Sequence, residues 1–255
     1  MIFHILTIFP EIFSSFVETG ILKKAIEKNK IAIHRHDIRD FSDDKNKNVD
    51  DYSFGGGSGM IMKPDPIFKG VESIKNNFSA INSDDVPVIL LSPQGKKLDQ
   101  KLVEELSQKE SLILICGRYG GVDHRVNKYL ATEEISVGDF ILSGGEVAAM
   151  SIIESVSRLI DGVVGSKESV EKDSFTSGLL QHPQYTRPSK FREWEVPSKL
   201  LSGNHQEILK WQRRESILKT FLQRPDLIDD ISLTPDDQKI IDSIKSNRDQ
   251  PNNPI

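Results

Sequence analysis

The feature that most constrains this chain is the alternation, over its first 160 residues, of short apolar runs with amphipathic stretches of helical spacing. The apolar runs are Phe3–Phe9, Ile31–His36, Val86–Leu91 and Leu112–Cys116; Phe13–Lys28, Ile67–Ile74 and Leu98–Glu110 lie between them. Strands separated by helices predict βαβ units, a parallel sheet and an α/β domain. Gly145 to Ile160 then supplies a helix with Val147, Ile152, Ile153, Val156 and Ile160 available for burial.

The pattern changes beyond residue 160. Asp161–Ser177 is polar, of mixed charge and without apolar periodicity, and reads as a linker or mobile loop. Helical sequence returns at His205–Leu222, with Ile208, Trp211, Leu218 and Leu222 towards one side and Lys210 and Arg214 spaced i,i+4 on another. Thr234-Pro235-Asp236-Asp237 starts a last helix, with Thr as N-cap, Pro in the first turn and acids at the positive dipole end; Ile240, Ile241 and Ile244 form its apolar face. A chain of 255 residues has room for this two-part layout.

Bulk properties narrow the function classes. No apolar run approaches the ~20 residues of a membrane span, and the start of the chain lacks a signal-peptide layout. The lone Cys116 excludes an internal disulfide and a multi-cysteine metal site, so no metal ligands are assigned, and a reducing cytoplasm is the expected compartment. The net charge of −5 is uneven: Arg187–Arg224 holds nine Lys/Arg against four Glu, a segment of +5 on a remainder of −10. That asymmetry suits phosphate-backbone binding, although a solvated helical face gives the same composition.

Three strand-to-glycine junctions fall close together: Leu90–Gly95, Cys116–Gly121 and Ile135–Glu146. Glycines admit a ligand close to the backbone and apolar side chains form an adenine-sized slot, so the three predict one pocket built from several loops. Phosphate-loop readings fail on spacing. Phe54-Gly55-Gly56-Gly57-Ser58-Gly59 has no following Gly-Lys-Ser/Thr and no third Rossmann glycine, leaving a structural turn or a loop near a ligand or subunit contact. Gly144-Gly145 at a helix start could bind an anion, but Glu146 already complements the dipole, which points to a neutral or zwitterionic ligand. No nucleophile motif is present. Asp173, at the end of the polar segment, is a candidate general base, though most loop aspartates are merely solvated.

These segments together resemble the bacterial tRNA (guanine-37 N1)-methyltransferases, of the SPOUT class of knotted methyltransferases. The similarity runs from Leu6-Thr7-Ile8-Phe9-Pro10-Glu11 through Gly55–Met60, Leu91–Asp99, Cys116–Tyr119, Ser136–Glu146 and Ser155-Val156-Ser157-Arg158 to Asp173-Ser174-Phe175, Tyr185–Pro188 and Leu200–His205. The resemblance implies a SPOUT-type parallel sheet with a deep trefoil knot, otherwise a rarity, and a small all-α C-terminal domain. The implied division is 1–160 for the knotted S-adenosylmethionine-binding domain, 161–177 for a flexible linker, 178–247 for a helical tRNA-binding domain and 248–255 for a frayed tail.

It further implies cofactor contacts at Leu91, Ser92, Pro93, Gly117, Tyr119, Gly121, Val137, Gly138, Asp139, Phe140, Ile141, Leu142, Gly144 and Gly145. Asp173 matches the family's general base and Arg158 the arginine that assists it. Arg187, His205, Lys210, Arg213 and Arg214 are candidates for tRNA, and the expected assembly is a homodimer with active sites shared between subunits. Gly120 stands where the family usually has the acidic residue of Gly-Arg-Tyr-Glu-Gly, so a magnesium ion, an open addition to the cofactor set, has no carboxylate there. His124 and Ser53-Phe54 also depart from the usual pattern. Two other readings keep this frame: a methyltransferase acting on another RNA position, and an RNA-binding homologue impaired in catalysis through Gly120.

Overall fold

Four apolar runs become four strands of one sheet. In chain order the elements are β1 (Ile2–Thr7), α1 (Gly20–Glu27), β2 (Ala32–Asp37), β3 (Asp50–Tyr52), β4 (Met60–Met62), α2 (Pro64–Asn76), β5 (Val88–Lys97), α3 (Gln100–Ser107), β6 (Ser111–Cys116), α4 (His124–Tyr129), β7 (Glu133–Ser136) and α5 (Glu146–Leu159). The computed structural model describes residues 1–56, 59–78, 82–165, 173–229 and 231–248. The chain divides into two units, Met1–Lys167 and Glu168–Ile255.

The sheet has the order β2-β1-β6-β5-β7, and each neighbouring pair is parallel. Period-2 alternation sorts its side chains onto two faces. Phe3, Ile5, Ile89, Leu91, Leu112, Leu114 and Cys116 pack with Leu22, Leu102, Leu106, Ile152 and Ile153 from α1, α3 and α5. Leu6, Val88, Leu90, Ile113 and Ile115 pack on the other side with Ile67, Val71 and Ile74 of α2 and Val126 of α4. All six residues of β6 are buried, as a central strand covered on both faces requires.

Several boundaries differ from the sequence expectation. Phe13–Lys28 is not one helix: a short helix at Ser14–Val17 ends before α1 starts at Gly20, where φ is +64°. Val147 is 50% exposed, because the buried stripe through Ala149, Ile152, Ile153 and Val156 turns it outward. The third junction marks only the end of its strand: β7 has four residues, begins at Glu133-Glu134, which no apolar run marks, and ends in Ile135 and Ser136. β5 runs beyond Leu91, loops out, and pairs again through Lys96 and Lys97 with Ile135 and Ser136. A Cβ at Gly95 would stand 2.4 Å from the Glu134 carbonyl carbon, so only glycine lets this loop cross β7. Phe54–Gly59 joins the antiparallel pair β3–β4, its residues 57 and 58 lying outside the described residues.

In the second unit, β8 (Lys190–Phe191) and β9 (Trp194–Glu195) form an antiparallel hairpin ahead of α6 (His205–Gln223) and α7 (Pro235–Arg248). The all-α expectation is corrected at this hairpin, whose two-residue strands are too short to leave an alternating pattern. The core of this unit is Leu179, Ile217 and Ile241, edged by Phe221, Ile228, Ile231 and Leu233. On α6 it is Trp211, Ile217 and Thr220 that are buried, while Ile208, Leu218 and Leu222 are half-buried. Thr220 replaces an apolar residue there because its hydroxyl takes the Leu180 N–H (2.9 Å) and donates to the Ser216 carbonyl (2.6 Å).

The expected start of α7 forms a reciprocal cap: the Asp237 N–H donates to Thr234 Oγ1 (3.2 Å) and the Thr234 N–H to the Asp237 carboxylate (3.0 Å). Of the expected linker, Val163 packs into the first unit's core and Phe175 donates its N–H to the Leu179 carbonyl; residues 166–172 lie outside the described residues, as do 249–255 of the expected tail. Among the described residues no helix is long and apolar enough to cross a membrane.

Candidate functional site

The three glycine junctions meet. The first is the loop that interrupts β5 and the others lead out of β6 and β7, all at the C-terminal edge of the sheet, the usual ligand position in open α/β sheets, and they enclose a cavity of about 540 Å³. Each is shaped by a close approach. Gly145 N–H donates to the Gly117 carbonyl (2.9 Å), and Arg118 forms an antiparallel bridge with Gly144. A Cβ on Gly145 would lie 2.8 Å from Cys116 Cα and 3.1 Å from Leu91 Cβ, so the third loop crosses the ends of β5 and β6 only because residue 145 has no side chain. Gly138 N–H is taken by Ser136 Oγ, which donates back to the Gly138 carbonyl, fixing the turn out of β7.

Every candidate cofactor residue except Asp139 lines this cavity: Leu91, Ser92 and Pro93 from the first loop, Gly117, Tyr119 and Gly121 from the second, and Val137, Gly138, Phe140, Ile141, Leu142, Gly144 and Gly145 from the third. The Asp139 side chain is 90% exposed and lies 3.3 Å from Lys97 Nζ. Tyr119, Phe140, Ile141 and Leu142 keep much of their surface free at the mouth. Asn127 and Glu134, joined by a 2.6 Å hydrogen bond, also line the cavity. They come from α4 and β7 rather than a glycine motif, and no spacing in the sequence announces them.

Charge at the site is organised by Glu146. It is 1% exposed, at the first position of α5, and accepts from Thr7 Oγ1 (2.8 Å) and Arg118 Nε (2.9 Å). Thr7 ends β1 and Arg118 follows β6, so one carboxylate ties two strand ends to the helix start. The Arg118 guanidinium also lies 4.8 Å from the centre of the Phe9 ring. Burial pushes the neighbouring Cys116 thiol up, with the Glu146 charge adding to the effect, so it stays protonated and inert. Among the lining residues the cationic candidates are Arg118 and His124, and Arg118 is already neutralised. A polyphosphate therefore finds little positive charge, whereas apolar walls and main-chain groups suit a nucleoside with a neutral or zwitterionic tail.

Gly120 has a local reason. Its N–H donates to the Met60 carbonyl (2.9 Å), and a Cβ there would meet Ile61 Cδ1 at 3.0 Å and that carbonyl at 3.1 Å, so glycine lets the second loop lie flat on β4. Arg158 is exposed in the last turn of α5, in the first unit. Asp173 is half-buried in the second, close before the Phe175–Leu179 turn. Arg187, His205, Lys210 and Arg214 are exposed, with Lys210 paired to Glu207 and Arg214 to Glu215. Arg213 makes a bidentate pair with the buried Asp237 (3.0 and 2.8 Å), which joins α6 to the cap of α7. Among the described residues no group of three or more His, Cys, Asp or Glu is placed to hold a metal ion.

A parallel sheet flanked by helices, with a glycine-walled cavity at its C-terminal edge, defines an α/β protein with its ligand site at the strand ends. The family model described as tRNA (Guanine-1)-methyltransferase TrmD matches residues 1–230. A "tRNA (guanine-N(1)-)-methyltransferase" of Dehalococcoides mccartyi is 50% identical over 240 residues, 94% of this chain and 95% of that protein. One from Geobacillus kaustophilus is 53% identical over 235 residues, 92% and 94% of the two chains. The crystal structure of the tRNA (m1G37) methyltransferase from Aquifex aeolicus superposes with a TM-score of 0.71 at 42% identity, covering 90% of this chain and 95% of that one. The chain belongs to the tRNA (guanine-1)-methyltransferase family.

Proposed function

We propose that this chain transfers a methyl group from S-adenosylmethionine to N1 of guanine 37, beside the anticodon, in certain tRNAs. The observation that carries the reading is the glycine-walled cavity, lined by both apolar and polar groups and with its Arg118 neutralised, in a chain matched to the family over residues 1–230. The residues fit the cofactor: Leu91, Val137 and Leu142 would hold the adenine, and the glycine-loop main chain its polar groups. When bound, S-adenosylmethionine supplies an electrophilic methyl group.

The remaining chemistry falls to side chains. Guanine N1 carries a proton and is a poor nucleophile until that proton leaves. Asp173 takes it onto a carboxylate oxygen, and Arg158 stabilises the negative charge that develops on the base, chiefly at O6. The pocket walls hold the reacting atoms in line, so positioning supplies much of the rate. N1 lies on the Watson–Crick edge, so the base must be splayed from its stack.

The knotted threading, the 161–177 linker, the 178–247 tRNA-binding domain and a homodimer with shared active sites belong to the same proposal. So do a cytoplasmic location and tRNA contacts at Arg187, His205, Lys210, Arg213 and Arg214. Magnesium has no carboxylate at Gly120, and no step here requires it. The test is digestion and mass analysis of tRNA after turnover. Methyl on guanine N1 is expected; methyl on N2 or ribose overturns the base chemistry. Asp173→Ala should abolish turnover and leave S-adenosylmethionine titration unchanged, and near-normal turnover would remove Asp173 from its role.

A further inference from the structure

The hairpin β8–β9 carries a surface that the methyl-transfer chemistry does not use. Phe191 and Trp194 are register partners, with ring centroids 6.1 Å apart and planes 34° from parallel. They are 57% and 65% exposed. Arg192, in the turn at φ +55°, sits with its guanidinium carbon 5.3 Å from the Phe191 ring centre and 5.9 Å from that of Trp194. Cross-strand aromatic pairing stabilises a hairpin, yet it leaves more than half of each ring outward. The core of this unit is assembled from other residues. Within the hairpin Lys190 and Arg192 stand against Glu193 and Glu195, with Lys190 paired to Glu195 at 3.3 Å, so the cation at the rings is Arg192, and the excess of +5 over Arg187–Arg224 comes from the chain around the hairpin. Exposed aromatic surface with a guanidinium lying over the rings is the chemistry that holds an unpaired base by stacking, on ring or guanidinium plane, and its phosphate by charge.

We propose that Phe191, Arg192 and Trp194 form a stacking platform for an unpaired nucleobase of the RNA substrate. The inference rests on the reading that the substrate is RNA. Stacking uses the face of the base and ignores its edge, so the platform accepts any base and contributes affinity without sequence choice. Its occupant is distinct from the methylated guanine, whose N1 edge must be presented to the methyl donor.

The chain has two tryptophans, and Trp211 is buried to 9% exposure, so Trp211→Phe leaves Trp194 as the sole emitter. Unmodified tRNA should quench its fluorescence and protect it from acrylamide, saturating at the concentration at which filter retention shows binding. If Trp211→Phe fails to fold, the emission difference between the unsubstituted chain and Trp194→Phe reports the same residue. Phe191→Ala with Trp194→Ala should raise the tRNA Kd roughly tenfold or more, with S-adenosylmethionine binding unchanged, while Trp194→Phe restores it. Unaltered Trp194 emission at saturating tRNA overturns the platform, as does Trp194 already shielded from acrylamide in the free protein, which would mean a second copy covers it. Failure of the unsubstituted chain to methylate guanine N1 is a separate result and overturns the function instead.

Discussion

At Glu146 one carboxylate answers three needs: the positive dipole end of α5, the Arg118 cation and the Thr7 hydroxyl. A buried ion pair adds little net stability while intact, but removal of one partner strands the other. Glu146→Gln preserves size and the Thr7 hydrogen bond, and leaves Arg118 without a counter-charge. Arg118 retains 19% exposure, so the loss should fall at or below the low end for buried pairs, about 2–3 kcal/mol. The measurement is the urea midpoint at neutral pH with S-adenosylmethionine titration beside it, and both stability and affinity are expected to fall. An unchanged midpoint would mean that the pair does not hold the strand ends together. Sequence suggested a dipole-complementing carboxylate at this position, but not Thr7, 139 residues away in the chain.

Among the elements, α7 shows how one side chain joins local and tertiary structure. Asp237 closes the cap with Thr234 and pairs with Arg213 of α6. The Arg213 guanidinium, and then the Thr234 groups, hold its carboxyl at about 2, below the ordinary 3.8. A carboxylate with a depressed folded-state pKa stabilises fully above the unfolded value and loses that contribution as pH falls through about 4 to 2. Asp237→Asn should therefore cost on the order of 2 kcal/mol at pH 7, with the gap to the unsubstituted chain closing near pH 2. A constant gap across that range would assign the loss to packing.

The Thr-Pro-Asp-Asp start of this helix was legible because capping is local. The Arg213 partner is not legible: by sequence Arg213 reads as an RNA-facing cation, and its pairing with Asp237 follows only from the packing of α6 on α7. The same division holds in the sheet. β1, β5 and β6 stand out because inner strands covered on both faces are apolar at successive positions, and the edge strand β2 is marked only by Ile31-Ala32-Ile33 at its start, whereas the short edge strand β7 needs only Ile135 fully buried and hides in a polar run. The glycine junctions announced a pocket; Asn127 and Glu134 enter it only through the fold.

For the molecule as a whole, the two units respond to acid at different pH. In the first, His4 stacks with His34 and His36, the last also within 3.1 Å of its Nδ1, and packs edge-on against Phe78. Burial, then the neighbouring His36 and His34, lowers its pKa from 6.5 to about 4. A base with a depressed folded-state pKa stabilises fully above its unfolded value and loses that contribution as pH falls towards the folded value, because the unfolded chain binds the proton first. The His4 contribution therefore declines between pH 6.5 and 4, by on the order of 2 kcal/mol at pH 5. His36 is shifted in the same direction. The acid response of Asp237, in the second unit, begins only below about 4. Lowering the pH from 7 to 5 should weaken the Met1–Lys167 unit and leave the α6–α7 core unchanged, as read by amide hydrogen exchange on β1, β2 and β6 against α6 and α7. His4→Leu combined with His36→Leu removes both shifted groups and should flatten the response of the first unit alone. Equal weakening of both units at pH 5, or a doubly substituted chain that still loses protection in its sheet, would show that the histidine cluster does not govern the acid response.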